Sequence, residues 1–262
     1  MIFEDVTITK NDEIASGLWK MELNAPLISS MYKGPGQFIQ IELKTDWTHP
    51  LRRPMSIAGC TKDNLSIIYK IFGSGTSILS QKTSGDIINI LGPLGNIFNV
   101  DEKFTHILIG GGVGLAPIVN LWKQFSGRIE NKYLIIGAKT QKEHIHSHDP
   151  NNHIYLTTDD GSIGAQGTVM KTLEYLCKNI LNPVVFACGP EPMLKAVQSY
   201  VNGYNIPAQL AVESYMGCGV GICQGCVISR KNNNKKEHSY HEKYSLVCID
   251  GPVYNAGDIT FD

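Results

Sequence analysis

The chain has 262 residues, 42% hydrophobic and 18% charged, and its 23 Lys and Arg nearly balance its 24 Asp and Glu for a net charge of −1. This is the composition of a folded protein long enough for one large domain or two to three small ones, and it excludes disorder as the main state. The even balance also argues against a nucleic-acid partner, which needs a clustered Lys/Arg face.

The start, Met1-Ile-Phe-Glu-Asp-Val, lacks the basic region and apolar run of a secretory signal, so a cytoplasmic chain is expected. Residues 1 to about 100 carry short β-branched runs between turn residues: Phe38 to Leu43, Leu65 to Phe72 and Asp86 to Leu91. Their alternation of apolar and polar positions predicts an antiparallel barrel or sandwich. From Phe104 the rhythm becomes strand and helix in turn. Strands are expected at Ile107–Ile109, Tyr133–Ile136 and Pro183–Ala187, and helices at Pro117–Phe125, Met170–Lys178 and Glu191–Tyr200. This order predicts a parallel α/β sheet. The window Phe104–Trp122 is apolar enough to raise a membrane span, but Gly110-Gly111-Gly112-Val113-Gly114 breaks it into strand, turn and helix, and no membrane association is expected. After Ala208 the chain holds four of its seven cysteines and reads as a small metal-organised segment. The expected divisions are thus 1–101, 102–208 and 209–262, with the run from Arg230 to His238 a solvated turn between short strands.

The most specific chemistry lies in Cys218-Gly-Val-Gly-Ile-Cys223-Gln-Gly-Cys226, followed at a distance by Cys248. C-x4-C-x2-C with a distant fourth cysteine is the spacing of a plant-type 2Fe-2S site. Gly217, Gly219, Gly221 and Gly225 supply a loop that can wrap the cluster closely. Zinc prefers two short-spaced pairs, and here the second half offers Cys248 alone. Cys60 and Cys177 lie in unpatterned surroundings and read as buried thiols.

Gly110, Gly111, Gly112 and Gly114 follow an apolar run and precede a helix, which suits a pyrophosphate at a helix N-terminus but also a turn that binds nothing. The run fails the G-x-G-x-x-G fingerprint, since the sixth position is Leu115 or Pro117. Cys188-Gly189-Pro190 ends a second buried-type strand, so both turns would face one crevice at the carboxyl ends of the strands. In the first domain Arg53-Pro54-Met55-Ser56 and Gly73-Ser-Gly75-Thr76 offer a guanidinium and backbone donors to a phosphorylated cofactor. Three tempting features carry less. His144, His146 and His148 read as solvated loop histidines rather than metal ligands, Asp159-Asp160 as a turn rather than a shared-proton pair, and Lys139 as weak evidence for a 2′-phosphate.

Taken in this order, the motifs, with Leu91-Gly-Pro-Leu-Gly95, Thr158-Asp-Asp-Gly-Ser162 and Cys248-Ile-Asp-Gly-Pro252, resemble the ferredoxin reductase-like flavoproteins. Within them they are most similar to the electron-transfer subunits of NAD-dependent, type B dihydroorotate dehydrogenases, and the resemblance spans essentially the whole chain. It implies an N-terminal antiparallel β-barrel that binds FAD, a parallel α/β domain that binds NAD, and a C-terminal 2Fe-2S segment. It also implies FAD along Arg53, Pro54, Met55 and Ser56, with Ile68, Tyr69 and Lys70 on the neighbouring strand and Gly75 and Thr76 at the pyrophosphate. Gly110, Gly111, Gly112, Gly114, Cys188, Gly189 and Pro190 would line the NAD site, and Cys218, Cys223, Cys226 and Cys248 would hold the cluster. Met55 departs from the aromatic residue of many reductases, an exchange this branch tolerates. The implied partner is an FMN-containing dihydroorotate dehydrogenase catalytic subunit in a heterotetramer, working in pyrimidine biosynthesis. A related reductase subunit serving ferredoxin and NADP(H) is the alternative; by resemblance it carries Asp where this chain has Cys218.

Overall fold

A computed structural model describes residues 1–43, 48–125, 132–231 and 243–261. The expected turn at 230–238 falls mostly outside these residues.

The first layer is a closed antiparallel barrel in the order β1-β2-β5-β4-β3-β6. Its strands are β1 (Ile2–Ala15), β2 (Leu18–Asn24), β3 (Phe38–Ile41), β4 (Arg53–Cys60), β5 (Asn64–Lys70) and β6 (Ile87–Leu94), with helix α1 (Pro26–Met31) after β2 and α2 (Ser74–Ser80) after β5. The barrel closes because inward residues such as Val6, Ile8, Met21, Ile39, Ile41, Ile57, Ile67 and Ile90 alternate with outward ones and fill the lumen as one core. The first two strands escape the sequence reading, since the exposed Lys10-Asn-Asp-Glu13 stretch interrupts the apolar alternation of β1.

The second layer is a seven-stranded sheet in the order β10-β9-β8-β7-β11-β12-β15. It comprises β7 (Thr105–Gly111), β8 (Lys132–Ala138), β9 (Ile154–Thr158), β10 (Ala165–Gln166), β11 (Pro183–Cys188), β12 (Ala208–Ala211) and β15 (Val253–Asn255). All pair in parallel except β15, which runs antiparallel to β12. Helix α3 (Leu115–Gln124) covers one face, and α4 (Met170–Asn179) and α5 (Glu191–Gly203) the other. The strands are apolar on both faces for this reason: Leu108, Leu134 and Ile136 meet α3, while Ile107, Ile109 and Ile135 meet α4 and α5. Helix α3 begins at Leu115, two residues before the expected Pro117, because a proline in the first turn sacrifices no hydrogen bond. The barrel rests on the same helix. Leu18, Ala58 and Ile68 join the α3 core, and Asn120 donates to Tyr32 Oη at 2.7 Å and to the Ile57 carbonyl at 2.8 Å.

A small third sheet, in the order β14-β13-β16, is made by β13 (Val227–Arg230), β14 (Tyr244–Leu246) and β16 (Ile259–Thr260). The C-terminal segment is stitched to both larger layers. Its β15 lies in the second sheet, and Asn96 of the barrel side donates to Asp250 O at 2.9 Å and Val253 O at 2.8 Å while accepting from Val253 N at 2.9 Å. Strand β12 crosses the expected 208/209 division, so the last segment continues a strand of the nucleotide-type sheet.

The loop histidines differ from expectation. His144 Nε2 lies 3.2 Å from the Thr157 carbonyl, His148 Nδ1 accepts from Leu156 N at 3.0 Å, and His144 Nδ1 and His146 Nε2 are buried. His144 and His148 fasten the segment before β9 to that strand, and His146 is half-buried beside them. Asp160 does close a turn, accepting from Ser162 N at 3.0 Å and Ser162 Oγ at 2.6 Å. No helix among the described residues is long and apolar enough to cross a membrane.

Candidate functional site

The four C-terminal cysteines fall into two hydrogen-bonded pairs. Cys218 Sγ accepts from Val220 N at 3.4 Å and Cys223 N at 3.3 Å, and Cys223 Sγ lies 3.5 Å from Cys218 N. Cys226 Sγ accepts from Cys248 N at 3.4 Å. Gly219 and Gly221 have φ of +71° and +82°, which a side chain resists, and these two glycines turn the loop. Gly217 and Gly225 are not left-handed. Gly217 gives room instead, since a Cβ there would come within 3.3 Å of Cys223 Sγ, whereas at Gly225 it would make an ordinary contact at 3.6 Å.

The loop also sorts the thiols electrostatically. Burial alone would raise the Cys218 pKa, but the N–H groups of Cys223 and Val220 bring it down to about 7. Cys248 goes the other way, to about 12, through burial and then the neighbouring Cys226 thiol. Crowded thiols that would repel one another as thiolates are what a cationic centre relieves. Among the described residues no three ligating side chains gather as a site for one metal ion. Four thiols in two pairs suit a centre of two irons, each taking two thiolates.

Next to this loop a cavity of about 250 Å³ opens between the three layers. Pro54, Met55 and Ser56 of β4 and Ile68 to Lys70 of β5 form the barrel wall, with Thr76 at the start of α2. Val113 of the glycine turn closes another side, and Met216 and Pro252 bring in both ends of the cysteine segment. Two expected residues stand beside rather than in the cavity. Arg53 Nη1 donates to Leu51 O at 2.7 Å, and its Nε would lie 3.1 Å from a Cβ on Gly75, so a side chain there would crowd the approach of α2 to the guanidinium. Two others turn their polar ends elsewhere. The Tyr69 ring lies in the barrel core with its hydroxyl 2.9 Å from Asn11 Oδ1, and Lys70 Nζ pairs with Glu143 at 3.1 Å.

The two nucleotide-type turns meet, as the parallel pairing of Cys188 with Gly110 requires. A Cβ on Gly114 would lie 2.4 Å from the Cys188 carbonyl and Gly189 N, and one on Gly111 would lie 3.1 Å from Pro190 Cδ. Gly112, at φ +55°, faces open space instead. The Cys188 thiol is buried in the α3 core and its pKa pushed well up by burial and then by Glu213, so this residue offers backbone to the crevice, not sulfur. A second cavity of about 850 Å³ adjoins the first and shares Phe72, Val212, Glu213 and Ser214 with it. Protein packed around the Glu213 carboxyl raises its pKa although the side chain stays open to the cleft. Sequence reasoning missed Phe72, Val113, Glu213, Met216 and Pro252 as wall residues. Only their adjacency to motifs marks them, and which side chain faces the cavity depends on tertiary packing.

Comparison with known proteins agrees with this geometry. Residues 213–260 match the family model described as the iron-sulfur cluster binding domain of dihydroorotate dehydrogenase B, and residues 108–199 match the oxidoreductase NAD-binding domain. The dihydroorotate dehydrogenase B (NAD(+)) electron transfer subunit of Fusobacterium nucleatum subsp. nucleatum is 33% identical over all of both chains. That of Bacillus pumilus is 35% identical over 97% of this chain and 96% of its own. Among solved structures, the NADH-dependent reduced ferredoxin-NADP oxidoreductase superposes with a TM-score of 0.85 at 25% identity, covering 98% of this chain and 90% of that one. A ferredoxin NADP+ reductase from Neisseria gonorrhoeae with bound FAD and NADP shares the fold, at a TM-score of 0.60 and 16% identity over 78% of this chain and 91% of its own.

Proposed function

This chain belongs to the family of dihydroorotate dehydrogenase B (NAD(+)) electron transfer subunits, and we propose that it relays electrons from a catalytic partner through a 2Fe-2S cluster and FAD to NAD+. The observation that carries this reading is the convergence of barrel, glycine turn and cysteine segment on one cavity, through Pro54 to Ser56, Val113, and Met216 with Pro252. A bound flavin supplies the exchange between two-electron hydride chemistry and one-electron transfer.

The chain's own residues hold and separate these partners. Cys218, Cys223, Cys226 and Cys248 ligate the cluster, and the loop N–H groups that now reach Cys218 and Cys226 offset its negative charge. Pro54, Met55 and Ser56 with Ile68 and the β5 backbone form the apolar wall against the flavin ring and keep water from it. Arg53, Gly75 and Thr76 take the FAD pyrophosphate at the start of α2, where the guanidinium already stands against Gly75. The open side of Gly112, with Gly110, Gly111, Gly114, Gly189 and Pro190, receives NAD where the two turns meet, and Gly189 also lines the adjoining cavity. The family name implies a catalytic partner, which in this reading carries FMN and oxidises dihydroorotate within a heterotetramer, in the cytoplasm.

The test is anaerobic co-purification with that catalytic subunit, then dihydroorotate-dependent reduction of NAD+ with flavin and iron quantified. Activity only in the mixture, with FAD and about two irons on this chain, is the expected result. FAD and iron without dihydroorotate activity would overturn the partner and point to ferredoxin and NADP(H).

A further inference from the structure

The outer face of β3 joins the cavity to the cysteine loop. Ile39 and Ile41 fill the barrel lumen, so the pleat turns Phe38 and Gln40 outward. Phe38 lines the cavity beside the cysteine loop and packs in one core with Cys226 and Cys248. Gln40 pairs across the ladder with Pro54, another cavity residue.

Gln40 is 0% exposed, yet neither its Nε2 nor its Oε1 has a hydrogen-bond partner among the described residues. Its amide is turned onto the cysteine loop: a Cβ on Gly219 would lie 2.7 Å from Nε2 and 2.9 Å from Cγ. A fully buried primary amide with both ends idle is rare, because its desolvation is uncompensated. Val220 N and Cys223 N of the loop both donate to Cys218 Sγ, so neither is offered to Gln40 Oε1. Nε2 needs an acceptor beside Gly219, and a cluster held by the four cysteines would bring sulfur acceptors to this loop.

We propose that Gln40 is a positioning residue for the cluster, its carboxamide N–H donating to a cluster sulfur beside Cys218 and raising the cluster's reduction potential. The sign follows from charge: a donor stabilises the more negative, reduced form over the oxidised one. The inference rests on the cluster assignment above. A purely space-filling Gln40 would affect stability but not potential.

The experiment is a redox titration followed by electron paramagnetic resonance on the holoprotein and its Gln40→Leu and Gln40→His variants, with iron and sulfide counted in each. Gln40→Leu is expected to keep its cluster and shift it to more negative potential by on the order of 59 mV, a tenfold change for a one-electron couple. Gln40→His, which retains an N–H, is expected to recover most of that shift. An unchanged potential in an iron-replete Gln40→Leu protein overturns the proposal, whereas a wild-type chain that binds no cluster overturns the assignment beneath it. Should Gln40→Leu not hold iron, side-chain 15N-labelled glutamine in a Gln224→Gly background decides the matter, glycine being suited to the φ of +54° at that position. A nitrogen coupling to the reduced cluster supports the donor, and its absence overturns it.

Discussion

Gly112 and Gly114 stand two residues apart and answer to different constraints. A methyl group at Gly114 would meet Cys188 and Gly189 backbone at 2.4 Å, which cannot rotate away. At Gly112 it would meet nothing, and only the φ of +55° opposes it, at about 1 kcal/mol. Gly114→Ala is thus expected to lower the thermal midpoint clearly more than Gly112→Ala, overpacking against fixed backbone costing about 1–3 kcal/mol. Thermal melts of the two variants giving the reverse order would contradict the contact between the turns. The cysteines divide similarly. Cys223 is exposed whereas Cys226 and Cys248 are buried, so Cys223→Ser is expected to remove the cluster's visible absorbance while FAD stays bound. Loss of both cofactors together would mean that the loop, through Met216, is structural for the flavin wall.

Among the elements, the segment between β8 and β9 shows what pattern reading misses. Three histidines beside Asp149 and Pro150 look like a solvated loop, because hydrophobic periodicity assigns polar clusters to solvent. In the fold His144 and His148 fasten the segment to β9, and burial lowers the pKa of His144 and His146. The unfolded chain then binds more protons than the native one below the ordinary histidine pKa of about 6.5. Stability from these groups is present above that value and is lost as pH falls through the window beneath it. A His144→Gln/His146→Gln variant is expected to lose less stability than wild type between pH 7.5 and 5.5 in denaturant titrations. Equal losses would show that the two imidazoles do not titrate on unfolding. By contrast, β7, β8, β11 and the helices between them were legible, because strands buried on both faces read as continuous apolar runs. The exposed half of β1 and the short edge strand β15 have no such signature, being fixed by long-range pairing.

Across the whole molecule the motifs were legible one by one, since cysteine spacing and glycine turns are local. Their meeting was not: Gln40 behind Gly219, or Val113 across from Met216, is a product of how three layers pack. The same packing leaves the cysteine loop on the surface, and this sets where a partner must sit. Ile222 beside Cys223 is 81% exposed, and Ile249 beside Cys248 is 52% exposed. They lie on one patch, since a Cβ on Gly221 would come within 2.8 Å of Ile249 Cδ1. Isolated apolar residues on a surface need no explanation, but two that flank the cysteines of this loop do. Electron transfer weakens steeply with distance, so a partner that exchanges electrons with a cluster held here is expected to bring its own centre over this loop, with the two exposed isoleucines as apolar footing. An Ile222→Asp/Ile249→Asp chain is expected to keep its cluster absorbance and flavin yet bind the catalytic subunit at least tenfold more weakly, a loss of about 1.4 kcal/mol or more. Calorimetric titration of the two holoproteins measures this directly. Wild-type affinity in that variant would move the docking face elsewhere and leave the exposed isoleucines without a role.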